Sequence, residues 1–412
     1  MRIFWRRLHR YLGLTAAIFL FIAGSTGSII AFHDELDAWL NPGLFYTDSR
    51  GERLSGDVLI ERLEQDDTRL RVVSLPLDTD AGSTVRVQVR PRVDAATGRA
   101  VELDFDEMFV DPVNGRVLGT RLWGGCCLER KQLIPFLYVL HYSLHIPGDG
   151  GLWVMGIVGL VWIIESFIGF YLTLPAAKQS AIPLHADSRC QTRSWRQRWG
   201  IAWRIKRKAG SYRLNLDLHR VGGLWFFAVM LVLAVSGVSF NLRDAVFEPL
   251  VSVFSTFTSS PFDQREERAG RLPLEAKVSF ADMLRQARQD AFKRGWKKEP
   301  ATLFYNAVYG IYGVGFGDGQ GSGLGLSFLY FDGTDARPLG NYIPGTGTAA
   351  DIFESWQFPL HSGRIAGLAG RIVICVSGWV LALLAVTGVF IWLGKRRAYR
   401  SKAQSKCRDI VA

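Results

Sequence analysis

Cysteine is scarce in this chain, 5 in 412 residues, and its placement excludes a fold held by disulfides. Cys190 and Cys407 fall in strongly basic segments and Cys375 lies inside an apolar run. Only the adjacent Cys126–Cys127 pair remains, as a vicinal bridge, a redox pair, or two small half-buried side chains. No spaced dinucleotide fingerprint occurs, even in the glycine-rich GVGFGDGQGSGLG (313–325). That stretch reads as a flexible hairpin, and nicotinamide or flavin binding has no signature here. The first apolar run is too long for a signal peptide and lacks a small-residue cleavage site, so it is expected to be an uncleaved anchor. Histidine is rare as well, with 7 in the chain.

Apolar residues are not rare: they make up 48% of the sequence. Four nearly charge-free runs approach the length that crosses a bilayer, at 11–32, 152–174, 221–242 and 372–393. Glu165 alone interrupts the second. The net charge of +11 is gathered beside these runs. Residues 178–213 carry 10 Lys or Arg against one acid, and the tail after Leu393 carries 7 against one, whereas 34–140 holds 19 acids against 13 bases. The positive-inside rule then orients the chain. The expectation is a multi-pass membrane protein with both termini in the cytoplasm; the family resemblance given below implies that the membrane is the bacterial inner one. Its segments are a cytoplasmic 1–10, span one 11–33, periplasmic domain one 34–145, span two 150–174, a basic cytoplasmic loop 175–218, span three 219–242, periplasmic domain two 243–361, span four 370–393 and a basic cytoplasmic tail 394–412. Because every basic cluster flanks a span, nucleic-acid binding is not expected; lipid is the partner these charges need.

The chain also repeats itself. Laying 8–34 over 218–244 without a gap matches Leu8, His9, Arg10, Gly13, Leu14, Gly27 and Asp34 with Leu218, His219, Arg220, Gly223, Leu224, Gly237 and Asp244. With one gap, His141 aligns with His361 and Gly169 with Gly388. The fold expected is α-helical and membrane-spanning: four transmembrane helices as a tandem pseudo-two-fold repeat, with two periplasmic α+β domains. Alternation in 83–91, 100–121 and 325–342 predicts strands and hairpins, and 280–292 has helical spacing.

Six of the histidines lie at or near span ends: His9 and His219 on the cytoplasmic side, His33, His141, His145 and His361 on the other. A single interfacial His needs no function, since a head group or carbonyl satisfies it. Six, with positions duplicated by the repeat, point to paired axial ligands for haem between facing helices. The absence of Cys-x-x-Cys-His makes that haem b-type and non-covalent. One is expected at the cytoplasmic side, between His9 and His219, and at least one at the periplasmic side. There the ligands come from His33, His141, His145 and His361, with the pairing left open. Arg10 and Arg220 are candidates for the haem propionates, or plain positive-inside anchors. The small residues of AGSTGS (23–28) and SGVS (236–239), with Gly169 and Gly388, leave room for a planar cofactor or simply pack helices. A competing reading makes His141, His145 and Asp149 a zinc or copper trio.

Taken together, WRRLHRYLGL (5–14), FLYVLHYSLHIPGDGGLW (136–153), LHSGRIAGLAGR (360–371) and AVTGVFIWLGKRR (385–397) resemble the PepSY-associated transmembrane family. VDPVNGRVLG (110–119) is similar to its PepSY modules. Within the family the chain looks most like FoxB-type inner-membrane ferrisiderophore reductases. The resemblance implies a haem-dependent oxidoreductase passing electrons outward to a ferric siderophore, from the quinol pool or a cytoplasmic reductase. The alternatives are a non-catalytic membrane-anchored binding scaffold, or a metal or siderophore transporter component in which Glu165 and the histidines form a path. The Cys126–Cys127 pair has no counterpart in the family pattern.

Overall fold

A computed structural model describes the chain apart from residues 95–96, 127–128, 177–193, 207, 209, 266–272, 319–322 and 412, and the side chains of 399 and 401–411. His185, Cys190, Cys127 and with it the expected vicinal pair, and the middle of the glycine-rich stretch lie outside the described residues. Cys126 is an exposed free thiol.

The helices are α1 (Arg2–Ile30), α2 (His33–Leu40), α3 (Pro42–Phe45), α4 (Gly56–Asp66), α5 (Arg130–Ser143), α6 (Gly150–Thr173), α7 (Trp195–Gly200), α8 (Ser211–Trp225), α9 (Phe227–Asn241), α10 (Glu248–Ser252), α11 (Phe280–Lys293), α12 (Ala349–Ser362) and α13 (Gly367–Val411). The strands are β1 (Leu70–Pro76), β2 (Val85–Pro91), β3 (Glu107–Val110), β4 (Val117–Arg121), β5 (Pro300–Asn306), β6 (Ile311–Phe316), β7 (Ser327–Asp332) and β8 (Pro338–Tyr342). They fall into two compact units. The first holds Met1–Ala31, Leu140–Phe247 and Ile372–Ala412; the second holds Phe32–Val139 and Glu248–Arg371.

The first unit is a helical bundle. Two of its helices, Arg2–Ile30 and Gly150–Thr173, are long and apolar enough to cross a membrane, as is the stretch Arg364–Ala398, which belongs to this unit from Ile372 onward. The expected third span is broken: α8 and α9 meet at Phe226 with a bend of 69°, so 219–242 is not one straight helix. Small residues set how closely the helices approach. A Cβ added at Gly24 of α1 would lie 2.6 Å from the carbonyl oxygen of Gly378 on α13, and Ser28 donates to the Cys375 carbonyl at 2.8 Å. On the other side of the bundle Gly159 of α6 receives Val238 of α9. Arg2 donates to the Leu172 and Leu174 carbonyls at 2.7 and 2.6 Å, satisfying the C-terminal end of α6. The short α7 opens with a Ser194–Gln197 capping box and packs Trp199 against Phe170 of α6.

The second unit is built on one antiparallel sheet of order β4-β3-β2-β1-β5-β6-β7-β8. Each half is a helix followed by four strands, α4 with β1–β4 and α11 with β5–β8. The two segments expected as separate domains therefore share a sheet. Its seam is the β1–β5 pairing of Ser74, Leu75 and Pro76 with Phe304, Leu303 and Thr302, and Glu275 clasps Arg71 and Arg90 across it at 3.2 and 3.1 Å. Leu59, Ile60 and Leu63 of α4 fill the core of one half; Met283, Ala287 and Ala291 of α11 fill that of the other. The hairpin loops end in buried aspartates. Asp111 accepts from the Thr47 and Ser49 hydroxyls at 2.7 and 2.5 Å and from the Val113 N–H at 2.9 Å. Burial opposes its charge, but these donors outweigh burial and hold its pKa at about 2. Arg121 at the end of β4 is fully buried, with Asp37 of α2 at 2.7 Å and Glu107 of β3 at 2.5 Å.

Candidate functional site

A cavity of about 820 Å³ lies within the helical unit, walled by α1, α6, α8, α9 and α13. His9 and His219 both face it, with ring centroids 6.2 Å apart and ring planes at 63°. Each imidazole rests on a glycine of another helix. A Cβ at Gly169 would stand 3.4 Å from His9 Cε1, and one at Gly388 would stand 3.3 Å from His219 Cε1. Those two glycines, noted in the sequence only as small residues, are seats for the rings.

The seat of His219 also fixes its tautomer. Nδ1 of His219 lies 3.1 Å from both the Leu384 carbonyl and Thr387 Oγ1. A carbonyl only accepts, so Nδ1 carries the proton and Nε2 keeps its lone pair. The Thr387 hydroxyl spends its own hydrogen on the Leu383 carbonyl at 2.7 Å, leaving its oxygen to accept. His9 has a different partner: its Nδ1 lies 2.6 Å from Glu165 Oε2. Glu165 is buried, and its Oε1 has no hydrogen-bond partner among the described residues. Neither His9 nor His219 has a hydrogen bond at Nε2 among the described residues.

The same seat recurs on α1. His141 places Nδ1 3.1 Å from the Ala23 carbonyl and 3.1 Å from Thr26 Oγ1, and a Cβ at Gly27 would lie 2.9 Å from its Cε1. Thr26 likewise donates to the carbonyl four residues back, Ile22, at 2.7 Å. A carbonyl, a hydroxyl three residues on and a glycine four residues on share one helix face: Ala23, Thr26, Gly27 and again Leu384, Thr387, Gly388. The Thr-Gly pair in two spans was the visible signal, and hydropathy gives it no weight. The third span carries Leu233, Ser236 and Gly237 at the same spacing.

Five basic residues also line the cavity, forming a cationic rim: Arg6, Arg7, Arg10, Arg220 and Lys395. Of the two arginines singled out from sequence, Arg220 is largely committed, to the fully buried Asp217 at 2.7 Å and to the Ile201 carbonyl at 3.1 Å. Arg10 donates to Tyr11 Oη at 3.1 Å and keeps a buried Nε without a partner among the described residues. Sequence reasoning missed Arg6, Arg7 and Lys395 as part of the site, because near a span end a basic residue already has a reason to be there.

The remaining expected ligands are placed as follows. His33 opens α2, with Nε2 3.2 Å from Asp34 Oδ1 and its ring edge-on to Tyr138 at 5.6 Å. His361 lies in the last turn of α12. His141 and His145 do not share a helix face: α5 ends at Ser143, and Leu144 and His145 have φ of 57° and 56°. Among the described residues no group of three or more His, Cys, Asp or Glu side chains is arranged to hold a metal ion, so His141, His145 and Asp149 do not form the zinc or copper trio.

Comparison with known families gives one decisive match: the model of the PepSY-associated TM region aligns with residues 6–395. The chain belongs to the PepSY-associated transmembrane family. The matched range takes in most of both units, so the cavity's histidines, all of its lining except Ile3, and the sheet lie within the PepSY-associated region. None of the curated proteins compared matches the chain.

Proposed function

We propose that this PepSY-associated protein is a haem-carrying oxidoreductase of the bacterial inner membrane that passes electrons outward to a ferric siderophore. The observation that carries the reading is the His9–His219 pair. Two imidazoles bound on opposite sides of one metal through Nε2, at a bond of about 2.0 Å, have ring centroids roughly 6.3 Å apart; here they are 6.2 Å apart. The cavity of about 820 Å³ is within the range of pockets that enclose a cofactor-sized ligand. Its walls are apolar and its rim cationic, which suits a flat apolar ring carrying two carboxylates.

Haem held there supplies one-electron Fe(III)/Fe(II) chemistry. His9 and His219 would offer their Nε2 atoms to its iron, with Leu384 and Thr387 holding Nδ1 of His219 and the Glu165 carboxyl lying beside Nδ1 of His9. Arg6, Arg7, Arg10 and Lys395, which line the same cavity, would be the partners of its propionates. The positive-inside rule puts this basic end in the cytoplasm. His141 sits on the same kind of seat farther along α1: Ala23 is about 21 Å from His9 at 1.5 Å per residue. It is the ligand we assign to a second haem on the periplasmic side. Reduction releases the cargo because the hard oxygen donors of a siderophore hold Fe(II) poorly.

The test is ferric-chelate reduction. Vesicles carrying the protein and supplied with a reduced quinol should form Fe(II), captured by a ferrous-specific chelator, from ferric hydroxamates or catecholates. The rate should collapse in His219→Ala. A haem-loaded protein that leaves every ferric chelate untouched would remove the substrate from the account.

A further inference from the structure

The three histidine seats are not equivalent. His219 and His141 give Nδ1 to a backbone carbonyl and a threonine hydroxyl, all neutral acceptors. His9 alone is backed by a carboxylate, Glu165, at 2.6 Å. Glu165 stands four residues before Gly169, the position Leu384 occupies before Gly388, and Ile168 stands where Thr387 does, so this seat lacks the hydroxyl and offers a carboxylate side chain instead. The neighbourhood is shaped for it. A Cβ at Gly13 would sit 3.2 Å from Glu165 Oε2, so the absence of a side chain at Gly13 makes room for the carboxylate. Glu165 is only 6% exposed and has no arginine or lysine partner among the described residues.

A carboxylate in an apolar bundle is costly unless a positive centre compensates it. A carboxylate behind an imidazole N–H makes the ring a stronger donor and favours the more highly charged state of a bound metal. We infer that Glu165 is a positioning residue that lowers the reduction potential of haem held by His9 and His219 below that of haem held through the neutrally seated His141. The inference rests on the haem reading above. It adds a direction: the site near the basic rim becomes the stronger reductant, and electrons run downhill toward the other.

Redox titration at fixed pH, followed by the visible spectrum, tests this on the purified full chain, with Glu165→Gln and Glu165→Asp alongside the wild type. In Glu165→Gln the ferric–ferrous equilibrium of one haem component should move at least tenfold toward the ferrous form, about 59 mV for one electron, with haem content unchanged. Glu165→Asp should recover part of the shift. Haem-replete Glu165→Gln with the wild-type titration curve would overturn the inference. Loss of haem from both variants would also overturn it, leaving Glu165 with the task of holding His9 in place. A wild-type protein that takes up no haem would instead remove the functional reading itself.

Discussion

His219 sets its Cε1–Nδ1 edge against Gly388, with Nδ1 3.1 Å from the Leu384 carbonyl one turn earlier on the same helix. The glycine and the carbonyl act together, one admitting the ring and the other orienting it. Gly388→Leu should therefore displace His219 and empty the cavity while the bundle still inserts. Haem content per protein should fall several-fold, and Gly388→Ala should cost less, because its methyl stands at 3.3 Å from Cε1. Full haem occupancy in Gly388→Leu would show that the seat has no part in binding.

Thr387 contributes only the second of two neutral acceptors to His219. Thr387→Val keeps the shape and loses the oxygen, at a cost of about 1 kcal/mol. Haem should still bind, with a weaker hold measured by its rate of transfer to an apo-acceptor protein. An unchanged rate would leave the Leu384 carbonyl as the whole anchor.

The contact of Gly24 with Gly378 fixes the spacing of α1 and α13. Either residue changed to Val forces two backbones apart, and overpacking costs about 1–3 kcal/mol or more. The thermal midpoint in detergent should drop in each variant, and the double variant should cost less than the sum, because one separation relieves both. Strict additivity would argue against a shared contact.

Arg121 is buried between Asp37 and Glu107. Removing it leaves buried Glu107 with only Arg86 and buried Asp37 with only the Asn41 amide, so Arg121→Met should destabilise the sheet unit by up to about 3–5 kcal/mol. Arg121→Met with Asp37→Asn and Glu107→Gln should recover much of the loss in denaturant unfolding. Failure of the triple variant to recover would place the role of Arg121 elsewhere.

Asp111 gives the second unit an acid limit. Its folded pKa, about 2, lies below the ordinary 3.8, so the folded state binds fewer protons than the unfolded one. The stabilisation is present in full above the ordinary value and is lost as pH falls from about 4 towards 2. Asp111→Asn should lower the thermal midpoint at neutral pH and flatten its decline over that window. A parallel decline in both proteins would assign the acid sensitivity to other groups.

Hydropathy gave three of the spans nearly as they stand, because a bilayer-length apolar run has few other uses. The break at Phe226 was hidden: Trp225, Phe226 and Phe227 are all apolar, and no proline marks the bend. The helix at 280–292 and the hairpin at 325–342 were legible from their periods. The shared sheet was not, since alternation in β1 and β5 says which face is buried and nothing about a partner more than two hundred residues away. For the candidate site, the repeat exposed His9 and His219 as a pair. The seats beneath them were masked, because Thr, Gly and a lone Glu in a span also serve helix packing or proton paths.

The most direct measurement is the absorption spectrum of the protein purified from cells with ample haem. The account predicts a Soret band and sharp visible bands on reduction, with haem lost from the His9→Ala and His219→Ala variants alike. A colourless wild-type protein, or a His9→Ala His219→Ala double variant with an unchanged spectrum, would contradict it.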